Sequence, residues 1–271
     1  MAWPKAIDNW LGENMLKNNG DKLEAIIFGT WQQRAKLEFD SIELLDNPVS
    51  ISQKVKNLGI IFDADMSMSS QISQMAKCSR YHLRNISQVR RYLPEHAVRA
   101  AVHASVTSRL DTGNSLLAGL CKCTLKPYSI QCQCRIQKLQ VIQNNAARLI
   151  SGTLHKYDHI TSYLSLLHWL PIRQRIEYKI LIIVFKCLHN MAPAYLTELI
   201  QPYQPKRQNR SSSKGILLRI PRTTLATGGD RMFAHIGPAL WNSLPFHIRE
   251  SQTLAHYSRQ LKTHLYRKAY L

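Results

Sequence analysis

The acidic residues that could hold a catalytic metal ion lie together at one point of the chain, in the phrase Phe62-Asp63-Ala64-Asp65. Two carboxylates near the end of a strand can bind a divalent cation, and such ions activate hydroxyl groups and steady leaving phosphates. The chain contains no adjacent pair of aspartates. We therefore expect Asp63 and Asp65 to be structural rather than catalytic.

Cysteine spacing offers a second possible chemistry. Cys121, Cys123, Cys132 and Cys134 form two Cys-x-Cys pairs. Structural zinc sites usually separate paired ligands by about two to four residues, so a single intervening residue favours free thiols in a reducing compartment. Cys78 and Cys187 lie within helical patterns and are predicted to be small core residues. We expect neither a metal ion nor another cofactor.

Signatures of common enzyme classes are missing from the sequence. His155 and His159 have the spacing of a zinc-protease helix but lack its Glu. No phosphate-binding loop, nucleophile elbow or dinucleotide-binding turn occurs. The sequence thus gives no support to an ATPase, a hydrolase or a dehydrogenase, and we expect no small-molecule substrate.

Positive charge is the largest compositional feature. The 271 residues contain 36 Lys and Arg against 17 Asp and Glu, a net charge of +19. Residues 1–71 carry seven basic and ten acidic residues, so the remaining 29 basic and seven acidic residues give residues 72–271 a net charge of +22. An excess of this size is typical of proteins with a polyanionic partner, and nucleic acid is the first candidate. The alternative is a basic surface with no partner.

The apolar segments are too short for a membrane span. The longest uninterrupted apolar run, residues 180–185, is far shorter than the roughly 20 residues that a bilayer requires. Asp8 and Glu13 interrupt the first fifteen residues, which is untypical of a secretory signal. We expect an intracellular protein of the nucleus or cytoplasm that is not secreted and contacts no membrane.

Hydrophobic periodicity separates an α/β start from a helical remainder. The sequence predicts a helix after Pro4 and short strands at residues 23–28, 37–44 and 57–62. From Ser69 the spacing becomes helical, with an exception at residues 216–220, where we predict a short strand. The expected fold class is mostly α with a small N-terminal α+β fragment. The expected divisions are 1–68, 69–200 and 201–271.

Two groups of basic residues could contact a polyanion. In the helix after Ser69, an apolar stripe is expected to face the core: Ile72, Met75, Leu83, Ile86, Val89 and Leu93. A first basic group falls on another face of that helix: Lys77, Arg80, Arg84 and Arg91. A second group comes after Tyr203 in a stretch without acidic residues: Lys206, Arg207, Arg210, Lys214 and Arg222. The alternatives are a solvated helix face and an inert loop.

Successive phrases of the chain resemble one family. These are Leu58-Gly59-Ile60-Ile61-Phe62-Asp63, Arg109-Leu110-Asp111 with Asn114-Ser115-Leu116-Leu117, Gln143-Asn144-Asn145-Ala146-Ala147-Arg148, Leu167-His168-Trp169-Leu170-Pro171-Ile172-Arg173, Gly229-Asp230-Arg231 and Trp241-Asn242-Ser243-Leu244-Pro245. Their order and spacing resemble the LINE-type non-LTR retrotransposon polyprotein of the chicken-repeat and jockey group, in the part downstream of the reverse transcriptase catalytic motif. The resemblance covers nearly the whole chain.

The resemblance implies a truncated polymerase palm end with a primer-grip-like segment near residues 58–63. It further implies thumb-like helices after Ser69 and then a C-terminal region. The parent enzymes are RNA-directed DNA polymerases that use Mg²⁺ held by an aromatic-x-Asp-Asp hairpin, which this chain lacks. The expected activity is therefore binding without catalysis. The expected partners are RNA, DNA or an RNA-DNA hybrid, contacted through the phosphate backbone.

Two alternatives remain open from the sequence. The chain could be an inert retroelement relic with no selected function. It could also be part of a longer, active RNA-directed DNA polymerase. A departure from the family pattern at Thr112-Gly113, where an aromatic residue is common, is compatible with unconstrained drift.

Overall fold

A computed structural model describes residues 3–37, 40–44, 47–120, 130–153, 155, 158–203, 216–223 and 229–271. The chain divides into two compact units, residues 1–74 and residues 75–271. The described part is mostly helical, with a small region of strands near the N-terminus. The coarse fold class predicted from the sequence is thereby confirmed.

The first unit contains two helices, two antiparallel hairpins and the start of a third helix. Its elements are α1 (Trp3–Glu13), α2 (Trp31–Arg34), β1 (Ser41–Leu44), β2 (Asn47–Ser50), β3 (Lys54–Asn57), β4 (Ile60–Asp63) and the first residues of α3 (Ser69–Val89). β1 pairs with β2 in a register that places Ile42 opposite Val49. β3 pairs with β4, and Val55 lies opposite Phe62.

Two strand predictions in this unit are corrected. Residues 23–28 form no strand, because Ala25 makes only a single parallel bridge, with Ile51. The predicted strand at residues 57–62 is a hairpin instead. Leu58 and Gly59 both have positive φ, 48° and 82°, which is the conformation of a two-residue turn whose twist matches the flanking strands.

The second unit is helical in its described residues. After α3, its helices are α4 (Glu95–Val102), α5 (Ser108–Asp111), α6 (Ile130–Ser151), α7 (Thr161–Leu166), α8 (Ile172–Leu188), α9 (Ala194–Thr197), α10 (Phe233–Asn242), α11 (Phe246–Arg249) and α12 (Leu254–Tyr270). A π-helical turn, His103–Thr107, joins α4 to α5. The strand predicted at residues 216–220 is reduced to a single bridge between Pro202 and Leu218.

Helix α8, which contains the apolar run of residues 180–185, is the core element of the second unit. Helices α6, α10 and α12 all pack against it. The Tyr257 ring of α12 stacks on Phe185 of α8 with centroids 4.3 Å apart, and Trp241 of α10 lies 5.8 Å from Tyr257. The buried Tyr257 hydroxyl donates a hydrogen bond to the Leu181 carbonyl, 3.3 Å away. The hydroxyl is thus paired within the apolar core.

Candidate nucleic-acid interface

One side of α3 carries the first basic group. Lys77, Arg80 and Arg84 are all exposed along the helix. Arg91 is also exposed, in a single 3-10 turn (Arg90–Tyr92) at the end of the helix. With 3.6 residues per turn, the three helical residues fall within a sector of roughly 60°. We call these four residues the α3 basic surface.

The other side of α3 supports this surface by burying apolar residues. In the second unit, Met75, Ala76 and Leu83 are 9% exposed or less. Val89 departs from the prediction, because 46% of its surface is exposed. Helical spacing turns Val89 well away from the centre of the buried side, whereas the next residue, Arg90, falls at that centre.

Arg90 takes the inward position and caps another helix. Its Nε donates to the Leu149 carbonyl at 3.0 Å and its Nη2 donates to the Ile150 carbonyl at 3.1 Å, both in the last turn of α6. A third bond joins Nη1 to the Leu93 carbonyl at 3.3 Å. Two adjacent arginines therefore have different roles: Arg90 is internal, and Arg91 points to solvent.

The positive charge of the α3 basic surface is not neutralised by described neighbours. Residues 66–94 contain no Asp or Glu. None of the ion pairs found among the described residues includes Lys77, Arg80, Arg84 or Arg91. Phosphate groups can serve as the counterions of these four cations.

Aromatic side chains lie among these cations, a feature that the grouping of basic residues in the sequence did not include. Tyr81 comes four residues after Lys77 and three before Arg84, so it neighbours both on the helix surface, and it is 63% exposed. Tyr92 is 71% exposed, with the Arg91 guanidinium 4.7 Å from its ring centroid. The spacing of Tyr81 was the signal available in the sequence. Exposed rings among cations are typical of surfaces on which bases stack.

The second basic group is described only in part. Lys206, Arg207, Arg210 and Lys214 lie outside the described residues. Arg222 is described and exposed, and no described hydrogen bond or ring contact joins it to the α3 basic surface. Tyr203 is 52% exposed, and its backbone N–H donates to the Leu217 carbonyl at 2.8 Å. The described residues therefore bring together the first basic group alone.

Asp63 is a helix cap rather than an open metal ligand. Its carboxylate accepts hydrogen bonds from the Ser67 hydroxyl at 2.6 Å, the Met68 amide at 2.9 Å and the Ser69 amide at 3.1 Å, at the start of α3. Burial raises the pKa of Asp63, but these hydrogen bonds outweigh burial and lower its pKa overall. A metal ion would have to displace them.

Asp65 does not join Asp63 in one site. Its carboxylate forms an ion pair with Arg34 and is largely exposed. Among the residues that the structure describes, no group of three or more His, Cys, Asp or Glu side chains is placed to hold a metal ion. In the described geometry, Asp63 caps the start of α3 and Asp65 pairs with Arg34.

The predictions made for the six cysteines differ in their outcome. The side chains of Cys121, Cys123, Cys132 and Cys134 lie outside the described residues. Cys187 is buried, as predicted, and burial raises the pKa of its thiol. Cys78 is only half-buried, so the prediction of a core residue holds for Cys187 alone.

Comparisons of the chain with protein-family models, with curated proteins and with solved structures found no significant match. The resemblance to LINE-type polyproteins therefore rests on the ordered phrases quoted in the sequence analysis alone. No helix in the described ranges is both long and apolar enough to cross a bilayer.

Proposed function

We propose that this chain binds RNA, DNA or an RNA-DNA hybrid without sequence preference, through the α3 basic surface and the phosphate backbone. The observation that carries the proposal is three exposed cations on one side of α3 and a fourth, Arg91, in the turn that follows it, with no acidic partner among the described residues. The proposal includes an intracellular location, in the nucleus or cytoplasm, because nucleic acid is found there.

The proposal also assigns an origin. The ordered phrases of the sequence support a fragment of a LINE-type reverse transcriptase, from the region after the catalytic palm motif. In that assignment, residues 1–68 are a palm and primer-grip-like remnant, residues 69–200 are thumb-like, and residues 201–271 are the C-terminal region. A thumb contacts the backbone of the template-primer duplex, which suits basic helix faces.

Spacing along the helix supports phosphate contact over base reading. Lys77 and Arg84 are separated by about 10 Å along the axis, from a rise of 1.5 Å per residue. A duplex carries about one negative charge per 1.7 Å of its length, so both side chains can reach phosphates of one backbone segment. Tyr81 lies between them and offers a ring for an unpaired base.

Catalysis is not part of the proposal. An adjacent pair of aspartates is missing from the sequence, and the Asp63 carboxylate is occupied by its bonds to the first residues of α3. The chain would therefore hold a template-primer duplex without extending it. Extension of a primer by the purified chain with Mg²⁺ and deoxynucleotides would contradict this.

The test is the affinity for a primer-template hybrid as a function of salt. Fluorescence anisotropy of a labelled hybrid should give an affinity whose logarithm falls linearly with the logarithm of the salt concentration. Replacing Lys77, Arg80 and Arg84 by Ala should reduce the magnitude of this slope by about 2 to 3, which is the contribution of three phosphate contacts.

A matched control removes the same charge elsewhere. Lys5, Lys17 and Lys22 are exposed and lie in residues 1–71, which carry net negative charge. Their joint replacement by Ala should leave the slope unchanged. Equal slopes for both triple variants would show that net charge, and not the α3 basic surface, governs binding. No measurable binding at low salt would favour the inert relic.

A further inference from the structure

A cavity of about 450 Å³ lies within the second unit and is lined by no residue of the α3 basic surface. Its lining comes from the π-helical turn, the end of α5, the segment between α7 and α8, α8 itself and α12. All of its lining residues belong to the described part of the chain. Pockets for small ligands commonly fall between about 300 and 1,000 Å³.

The charge of the lining is strongly positive. Arg175, Lys179 and Lys262 line the cavity together with one carboxylate, that of Asp111, which leaves a net charge of +2 when histidines are neutral. Confined like charges destabilise a fold unless something compensates them. A dianion would match this surplus.

Most of the cationic groups are held in place. The Arg175 guanidinium donates from Nη1 to Asp111 Oδ2 at 2.8 Å and from Nε to the Leu170 carbonyl at 2.9 Å. The Lys179 ammonium donates to the Asp111 carbonyl at 2.8 Å. These bonds use part of each cation, and no described group accepts a bond from Arg175 Nη2. Fixed donors with spare N–H groups are what a bound anion needs.

Lys262 differs from the other two cations. It lies on α12, is exposed, and forms no ion pair or hydrogen bond with the described residues. Its ammonium can therefore move onto an anion in the cavity without breaking an existing contact.

Aromatic groups form another part of the wall. Trp169 lines the cavity and is 5% exposed, and its ring meets His103 edge to face at 5.4 Å between centroids. Tyr178 is a further lining residue. A cavity of this volume has space for a sugar and a base beyond the phosphate, and aromatic walls suit such planar groups.

The backbone around the cavity is irregular at two points. His103 begins a π-helical turn in which the Ser108 amide bonds to the His103 carbonyl five residues earlier. His168 has a φ of 53°, in the left-handed region that non-glycine residues rarely adopt. π-Helical turns and non-glycine residues of positive φ are both frequent at functional sites.

From the net charge, the spare donors of Arg175 and Lys262 and the aromatic wall, we propose that this cavity binds the terminal phosphate monoester of a nucleotide. The ligand is either a free nucleotide or the phosphorylated end of a strand. A monoester is preferred over the phosphodiester of an internal nucleotide because only the monoester carries close to two negative charges. The site shares no residue with the α3 basic surface, so it does not depend on the proposed function.

The first test is calorimetric titration of the full chain with AMP, with inorganic phosphate and with adenosine. AMP should bind more tightly than inorganic phosphate, and adenosine should not bind measurably. Lys262→Met should weaken AMP binding about tenfold, as expected for one charge-assisted hydrogen bond. Lys138→Met, which removes an exposed lysine of α6 outside the cavity, should leave AMP binding unchanged.

A second readout reports occupancy directly. Burial and the nearby Arg175 and Arg99 lower the pKa of His103, against an opposing effect of Asp111. A phosphate dianion in the cavity should raise the pKa of His103, measured by NMR in the folded chain. Unfolding would also return this pKa towards its ordinary value, so the rise counts only while the NMR spectrum remains that of the folded chain.

Two strands distinguish the sources of the phosphate. A short oligonucleotide with a 5′-phosphate should compete with AMP, and the same oligonucleotide without it should not, if strand ends are bound. If AMP binds and neither oligonucleotide competes with it, the site is assigned to free nucleotides. The proposal is overturned if AMP does not bind at millimolar concentration, if Lys262→Met and Lys138→Met behave alike, or if the pKa of His103 does not move.

Discussion

The side chain of Arg90 donates a hydrogen bond to the carbonyl of Leu149, 3.0 Å away, and so connects the turn after α3 to the last turn of α6. The final carbonyls of a helix have no partner within the helix, and a cation there satisfies them and opposes the helix dipole. The neighbouring Arg91 makes no such contact and stays in solvent.

We predict opposite effects for the two arginines. Arg90→Ala should lower the free energy of unfolding by about 2 to 3 kcal/mol, because carbonyls of α6 lose a charged donor. Arg91→Ala should leave stability within about 0.5 kcal/mol of the parent, as for other surface changes. Urea unfolding measures both. If Arg91→Ala proved the more destabilising, the inward assignment of Arg90 would be wrong.

Gly152 is the residue that makes this contact possible. It has a φ of 69°, and a Cβ at this position would lie 2.8 Å from Arg90 Nη2. Gly152→Ala should therefore cost about 1 to 2 kcal/mol from the left-handed backbone alone, with displacement of Arg90 in addition. Gly12→Ala, at an open position without positive φ, should be neutral or slightly stabilising.

A double-mutant cycle separates the two contributions of Gly152. Once Arg90 is Ala, the added methyl group no longer meets a guanidinium, so Gly152→Ala should cost less than in the parent. Strict additivity of the two changes would show that they do not interact.

Asp63 should make stability depend on pH in the acid range. Its pKa is lowered in the fold from the ordinary value of 3.8, so the unfolded chain binds the proton more tightly. The stabilisation is therefore complete above about pH 5 and is lost as the pH falls through 3.8 and below.

Removal of the charge tests this dependence. Asp63→Asn should lower the free energy of unfolding at pH 7 by about 1 to 3 kcal/mol, since donors at the start of α3 lose a charged acceptor. It should also flatten the acid dependence measured by unfolding at several pH values. Asp65→Asn removes a largely exposed carboxylate and its ion pair with Arg34, and it should have a smaller effect.

Tyr81 should contribute to binding of single strands without affecting its salt dependence. Tyr81→Ala should weaken binding to single-stranded RNA about tenfold, because stacking on one base is lost. Tyr81→Phe keeps the ring and should bind as the parent does. Tyr195→Ala, at a tyrosine of α9 that is 68% exposed, is the matched control. A changed salt slope in Tyr81→Ala would indicate an altered charge surface instead of lost stacking.

The helical elements could be predicted because their signals are local. Apolar spacing indicates α3, α6, α8 and α12, and Gly152 marks the end of α6 with the positive φ expected of a cap. Thr253 precedes α12 and its side chain accepts from the His256 amide, which is an ordinary N-cap.

The strands could not be predicted as well, because a strand exists only with a partner. Residues 23–28 have strand-forming side chains, yet Ala25 meets a partner at one position only. The Leu58-Gly59 turn lies within residues 57–62, whose apolar side chains predict one continuous strand. Val89 and Arg90 show the same limit at the end of α3, since the choice of inward residue depends on carbonyls of α6 that lie about 60 positions later.

The candidate sites show the same difference between local patterns, which can be predicted, and distant contacts, which cannot. Helical spacing predicted one face for Lys77, Arg80 and Arg84, and all three side chains are exposed. The cavity beside Trp169 was not predicted, because Asp111, Arg175 and Lys262 come from three separate elements and no local pattern relates them.

The π-helical turn at residues 103–107 sets the rotational phase of the residues that come after it. One widened turn accommodates an extra residue, so every side chain downstream is rotated by about 100° relative to an uninterrupted α-helix. Asp111 lies beyond that turn, four residues after its end, and faces Arg175. Deleting a single residue from the turn would restore regular winding and swing the Asp111 carboxylate off the guanidinium, so the length of this segment is as much a determinant of the cavity as any of its side chains.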